Sequence, residues 1–69
     1  MNIKHSSEIR ELISYLLDIY GEFNCPKCDD VIGHRVLYLD DESIKCSYCL
    51  YELELQELMS HNEDKTSGW

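Results

Sequence analysis

Two Cys-x-x-Cys pairs constrain this chain more than any other feature. Cys25-Pro26-Lys27-Cys28 and Cys46-Ser47-Tyr48-Cys49 stand seventeen residues apart. Two such pairs read as one tetrahedral metal site, and zinc is the ion this donor set favours. A Cys-x-x-Cys turn puts two sulfurs on one side of an ion and aims backbone amides at them. Two turns from opposite ends of a hairpin close the tetrahedron. Cys25, Cys28, Cys46 and Cys49 are therefore the expected ligands of a single Zn²⁺. Four thiolates leave no open coordination position for water, so the site should be structural and not hydrolytic.

The metal matters because the chain is short. Its 69 residues suit one domain. A chain of that size buries only about 60% of its unfolded surface and is marginal on hydrophobic burial alone. A structural zinc contributes about 10–16 kcal/mol of binding free energy coupled to folding. That matches or exceeds the whole stability of a typical domain, about 5–15 kcal/mol.

Charge narrows the partners. Fourteen acids against six Lys and Arg give a formal charge of −8. Four thiolates around one divalent ion add two further negative charges. Such a chain repels nucleic acid and anionic lipid and favours a basic protein surface. Met1-Asn2-Ile3-Lys4-His5 does not open a signal peptide, because Glu8, Arg10, Glu11 and Asp18 interrupt any apolar run behind it. No stretch approaches the roughly 20 apolar residues of a membrane span. The expected location is cytoplasmic, where paired cysteines bind metal more often than they form disulfides.

Residues 7–20 are expected to form an amphipathic helix. Ile9, Leu12, Ile13, Leu16, Leu17 and Tyr20 recur at the spacing of one helical face. Ser6 or Ser7 is the expected cap, and Gly21 the left-handed residue that ends the helix. Tyr15 and Ile19 widen the apolar surface, leaving Arg10, Ser14 and Asp18 as one polar stripe. A helix so apolar needs cover on more than one side, from the C-terminal segment, a second copy or a partner. Tyr15, Ile19, Leu12 and Leu16 are the candidate partner-binding residues.

Residues 22–55 carry the metal module. Val36 to Leu39 is a strand candidate, Asp40 to Ser43 an acidic turn, and Ile44-Lys45 leads into the second pair. Those acids are too few and too local for a calcium site. Residues 50–60 are ambiguous. Tyr51, Leu53 and Leu55 alternate like a half-buried strand, yet Leu, Glu, Gln and Met favour a helix. A strand at 51–55 followed by a short helical turn is preferred, and a helix from about residue 50 is the alternative. Residues 61–69 lack apolar periodicity and are expected to be a flexible tail after a single domain over 1–60.

Phe23-Asn24-Cys25-Pro26-Lys27-Cys28 and Ile44-Lys45-Cys46-Ser47-Tyr48-Cys49, followed by Tyr51-Glu52-Leu53, resemble the two knuckles and last strand of the zinc-ribbon group. The resemblance covers residues 22–55 and is generic. It implies a small α+β zinc-binding domain, with the N-terminal helix packed on a four-cysteine zinc ribbon with a short β-sheet. The alternative is a treble-clef-like finger with a helix after the second knuckle. Zinc ribbons usually place glycine after each knuckle, whereas Asp29 and Leu50 stand here. Leu50 suits the left-handed region poorly, which favours the helical alternative. Rubredoxins also hold one metal with two Cys-x-x-Cys pairs, but knuckle glycines and abundant core aromatics are missing. A thioredoxin-like redox pair needs an α/β scaffold this chain cannot build.

His5, His34 and His61 are expected to face solvent, since the cysteines fill the site. Lys27 and Lys45 are expected beside the thiolates as charge balance. No Ser-His-Asp set or phosphate loop is evident, so the chain is not expected to be an enzyme. The expected function is an acidic zinc-ribbon protein-interaction module, such as a regulator or inhibitor of a basic nucleic-acid-binding or transcription protein. Its partner would be a protein with a basic surface, or a second copy through the helix at 7–20. The alternative is a zinc-ribbon nucleic-acid binder.

Overall fold

The computed structural model describes residues 6–40 and 43–69. The described residues open with helix α1, Ser6–Ile19. Strands β1 (Glu22–Asn24) and β2 (Val31–Gly33) follow as one antiparallel pair, with Phe23 opposite Ile32. Strands β3 (Leu37–Leu39) and β4 (Ile44–Cys46) form a second pair, with Tyr38 opposite Lys45. Helices α2 (Leu55–His61) and α3 (Glu63–Thr66) close the described chain. This is a small α+β arrangement of an N-terminal helix and two small sheets. No helix among the described residues is long and apolar enough to cross a membrane.

Helix α1 forms where the apolar period of 3.6 demands it. Ile9, Leu12, Ile13 and Leu16 are buried, while Arg10, Ser14 and Asp18 are exposed. The helix stops as its sequence requires. The Tyr20 and Gly21 amides both donate to the Leu16 carbonyl, at 2.8 and 3.0 Å, and Gly21 takes φ 80°. Glycine reaches that left-handed conformation without a Cβ penalty. Ser6 and Ser7 fall within α1, and the cap expected of them lies outside the described side chains. His5 and the Asp41–Glu42 part of the acidic turn lie outside the described residues.

The core joins the helix to both sheets. Phe23, Ile32, Ile44 and Leu53 meet the α1 face, and Leu58 of α2 is fully buried with them. The second side of α1 is thus covered by the chain's own C-terminal segment. This corrects the partner surface expected on α1. Leu12 and Leu16 are fully buried core residues and cannot meet a partner or a second copy. Tyr15 is half-buried, with its hydroxyl close to Gly68. Of the four residues, Ile19 alone is exposed.

The flexible tail expected over 61–69 is likewise corrected. Helix α3 occupies part of it, and Asn62 and Thr66 are buried. Asn62 behaves like an extra strand residue on the edge of β1. Its Oδ1 accepts from the Asn24 N–H at 2.9 Å, and its Nδ2 donates to the Asn24 carbonyl at 3.0 Å. Nδ2 also donates to the Leu58 carbonyl at 3.1 Å. The Thr66 hydroxyl then donates toward the carbonyls of Met59 and Asn62, at 3.0 and 3.1 Å. One amide therefore satisfies an open sheet edge and fastens the C-terminal helices to the first hairpin. Asn62→Ala would leave these backbone groups unpaired, and the metal-loaded protein should lose about 2–4 kcal/mol. Denaturant melting checks this. A shift below about 0.5 kcal/mol, the scale of a neutral surface change, would show the bonds to be dispensable.

Candidate metal centre

The four cysteines lie on two hairpins that repeat each other. Shifting the chain by 21 residues (25 to 46, 28 to 49) superposes one hydrogen-bond pattern on the other. The Cys25 amide donates to the Asp30 carbonyl at 3.0 Å, and the Cys46 amide to the Tyr51 carbonyl at 3.1 Å. The Asp29 amide donates to the Cys25 carbonyl at 2.9 Å, and the Leu50 amide to the Cys46 carbonyl at 2.8 Å. Asn24 pairs with Val31 in the first hairpin, and Lys45 bridges to Glu52 in the second. Phe23 and Ile32 are buried under the first knuckle, Ile44 and Leu53 under the second.

This pattern decides the ambiguous segment after Cys49. The Leu53 amide donates to the Ile44 carbonyl at 2.8 Å, so residues 51–53 stay extended against β4. Glu54 is still extended, and α2 begins at Leu55. Neither expectation is met in full. The strand expected over 51–55 is a single bridge, and the helix does not start near residue 50. Leu50 adopts φ 61° and Asp29 φ 63°, because each knuckle turns its last amide back onto its first carbonyl. Tertiary closure here overrides the reluctance of leucine, at a cost of about 1–2 kcal/mol. Leu50→Gly relieves that crowding, offset in part by glycine's greater chain entropy, and removes an exposed side chain. Its loaded form should melt at a higher denaturant concentration by about 0.5–1 kcal/mol equivalent. A lower midpoint would show that Leu50 contributes to the fold.

The sulfurs converge. All four Sγ atoms lie within 4.8 Å of one another. Cys25 and Cys49 Sγ are 3.8 Å apart, and Cys28 and Cys46 Sγ 3.7 Å. Disulfide sulfurs would be about 2.05 Å apart. Four sulfurs about 2.3 Å from a central zinc would stand about 3.8 Å from one another. The donor set and its spacing therefore fit a tetrahedral metal ion, and the cluster can hold one. Backbone amides support the inner sulfurs. Lys27 N–H donates to Cys25 Sγ at 3.3 Å, and Tyr48 N–H to Cys46 Sγ at 3.3 Å. The Cys28 amide also reaches Cys25 Sγ, at 3.5 Å.

The thiols do not ionise alike without a cation. Burial opposes the Cys46 thiolate, but the backbone amides of Cys49 and Tyr48 together with the Cys28 and Cys25 thiols bring its pKa below the ordinary thiol value. A backbone hydrogen bond at Asp30 draws Cys28 down, yet desolvation and the Cys25, Cys49 and Cys46 sulfurs push it up to about 12. Cys49 is also raised, by desolvation first, with the Cys46 and Cys25 sulfurs adding to it. Four negative sulfurs cannot share this space without a positive ion between them.

Cys25 and Cys46 are buried, Cys28 half-buried and Cys49 exposed, so the cluster opens to solvent on the second-knuckle side. The Lys27 ammonium lies over the Tyr51 ring, 5.7 Å from its centroid, and Lys45 faces the Asp40 carboxylate at 3.8 Å. Backbone amides directed at the Cys25 and Cys46 sulfurs offset part of their charge. The Tyr51 hydroxyl donates to Glu57, and that bond raises its pKa to about 12. His34 is exposed, as is His61, which pairs with Asp29 at 2.9 Å. Asn62 escaped the sequence reading, since one asparagine in a polar stretch carries no local signal. No protein family, curated protein or solved structure matches the chain. The functional argument accordingly rests on the cysteine cluster and the surface around it.

Proposed function

We propose that this chain is a zinc-stabilised, non-enzymatic protein-interaction module with a basic partner, such as a nucleic-acid-binding or transcription protein that it regulates or inhibits. Zinc is the ion that a closed set of four sulfurs suits best. Its role is to hold the two knuckles together as a rigid platform, with no coordination position left for a substrate. A reducing cytoplasm suits four free thiols kept for a metal.

One observation carries the partner's chemistry. Every Asp and Glu among the described residues is exposed, on a chain with a formal charge of −8. Such a surface draws in positively charged partners and repels phosphate backbones. The test is capture by the immobilised, zinc-loaded protein at low and at high salt, read by mass spectrometry. Basic proteins should be retained at low salt and released as salt screens the attraction. Gel shifts with DNA and RNA at low salt should show no complex. A nucleic-acid complex with a steep salt slope would replace this reading with the nucleic-acid-binding one. A monomer that retains no protein at low salt would leave it without support.

A further inference from the structure

The two knuckles serve as controls for each other. At equivalent places they carry Lys27 against Tyr48 and Asp29 against Leu50. Asp29 and Leu50 both hold positive φ. Aspartate tolerates the left-handed region, and Asp29 uses its carboxylate to meet His61. Leucine is crowded there, because its Cβ approaches the following carbonyl. Burial offers no compensation. Leu50 is 64% exposed and Tyr48 55% exposed. Ser47 and Cys49 are exposed as well, so the whole outer turn faces solvent. The fold would be served as well by the aspartate of the other knuckle. A strained, solvent-facing leucine beside an exposed tyrosine suits contact with another molecule.

We infer that the tip of the second knuckle, Leu50 with Tyr48, is an anchor that enters an apolar pocket on a partner protein, and that the pocket is rimmed by Lys and Arg. The inference rests on the proposed reading of the chain as an acidic interaction module. Charge selects the occupant. Exposed Glu52 and Glu54 follow the tip directly, and exposed Asp29 and Asp30 lie on the knuckle that shares its metal site. A second copy would bring the same acids against one another, and a nucleic acid would bring phosphates. A pocket with a basic rim satisfies the apolar tip and its acidic surround together. A few well-packed residues commonly carry most of the binding energy of an interface, and Tyr is enriched among them.

Site-specific photocrosslinking tests this on the full, metal-loaded chain. A benzoylphenylalanine is placed at Tyr48, Tyr38 or Tyr20, all exposed, in the cells that make the protein. The adducts are mapped by mass spectrometry. The position-48 probe should couple to a single protein, through a peptide adjoining Lys or Arg. Adding Leu50→Gly should reduce that adduct at least tenfold. Glycine is at ease at this φ, so the loss reports contact and not unfolding, and circular dichroism of the variant verifies it. Adducts confined to positions 38 or 20, or a position-48 adduct indifferent to Leu50→Gly, would overturn the anchor and leave the interaction module standing. An adduct to a second copy, to nucleic acid or to a surface without basic residues would overturn the anchor's stated occupant. No adduct at any position, together with no protein retained at low salt, would overturn both readings.

Discussion

Stripping the metal should unfold both knuckle hairpins. The four sulfurs sit at the junction of the two small sheets, and each strand is only three residues long. Strands that short do not stand alone in water. A bound zinc contributes about 10–16 kcal/mol to folding, against a total of about 5–15 kcal/mol for an ordinary domain. Removing it leaves a negative stability for the hairpins and strips α1 of the surface it packs on. An excess of a strong chelator should abolish the β signal in circular dichroism and the near-ultraviolet signal of the tyrosines. Re-addition of Zn²⁺ should restore both, at one ion per chain. Cys25→Ser and Cys49→Ser should behave like the chelated protein. Spectra that survive chelation and either substitution would show that the apolar core suffices without an ion.

Acid should have the same effect, over a window whose direction follows from the protons. The loaded fold binds its metal through four thiolates, whereas an unfolded thiol keeps its proton below about pH 8.5. The unfolded chain therefore binds more protons, and stability rises with pH in that range. Each thiol contributes about 1.4 kcal/mol per pH unit, so four give about 5.5 kcal/mol per unit. Two units below neutrality should remove about 11 kcal/mol and release the metal. Zinc release followed with a colorimetric chelator, from pH 8 to pH 4, checks this trend. Retention of the metal throughout would rule out thiolate ligation.

These outcomes bear differently on the two functional readings. Loss of the fold on chelation concerns the platform only. Partner binding is tested separately, because Leu50→Gly changes the surface without touching a metal ligand. A variant gaining stability while losing its partner would mark Leu50 as a residue held for binding at the expense of the fold. The exposed Cys49 lies within that same outer turn. Partner binding there would also shield the most accessible side of the centre.

The cluster of four cysteines and helix α1 were legible in the chain itself. Cys-x-x-Cys spacing is local, and so are the i, i+3, i+4 recurrence of Ile9 to Leu16 and the glycine that stops the helix. Short-range geometry follows directly from short-range sequence. Strand β1, the first hairpin and the repeat between the knuckles were not legible, because three-residue strands carry almost no periodicity. The positive φ of Leu50 runs against local preference and exists only because the knuckle closes on itself. The fate of Leu12 and Leu16 depended on distant segments, β1 and α2 among them, which pack on α1 and turn an apparent docking face into core. The place of Asn62 depended on a partner 38 residues away, Asn24. Sequence by itself determined which four sulfurs could hold an ion and which segment is helical, since those rest on neighbours along the chain. Tertiary structure alone decided which apolar side chains stay in water, since burial depends on what distant segments cover.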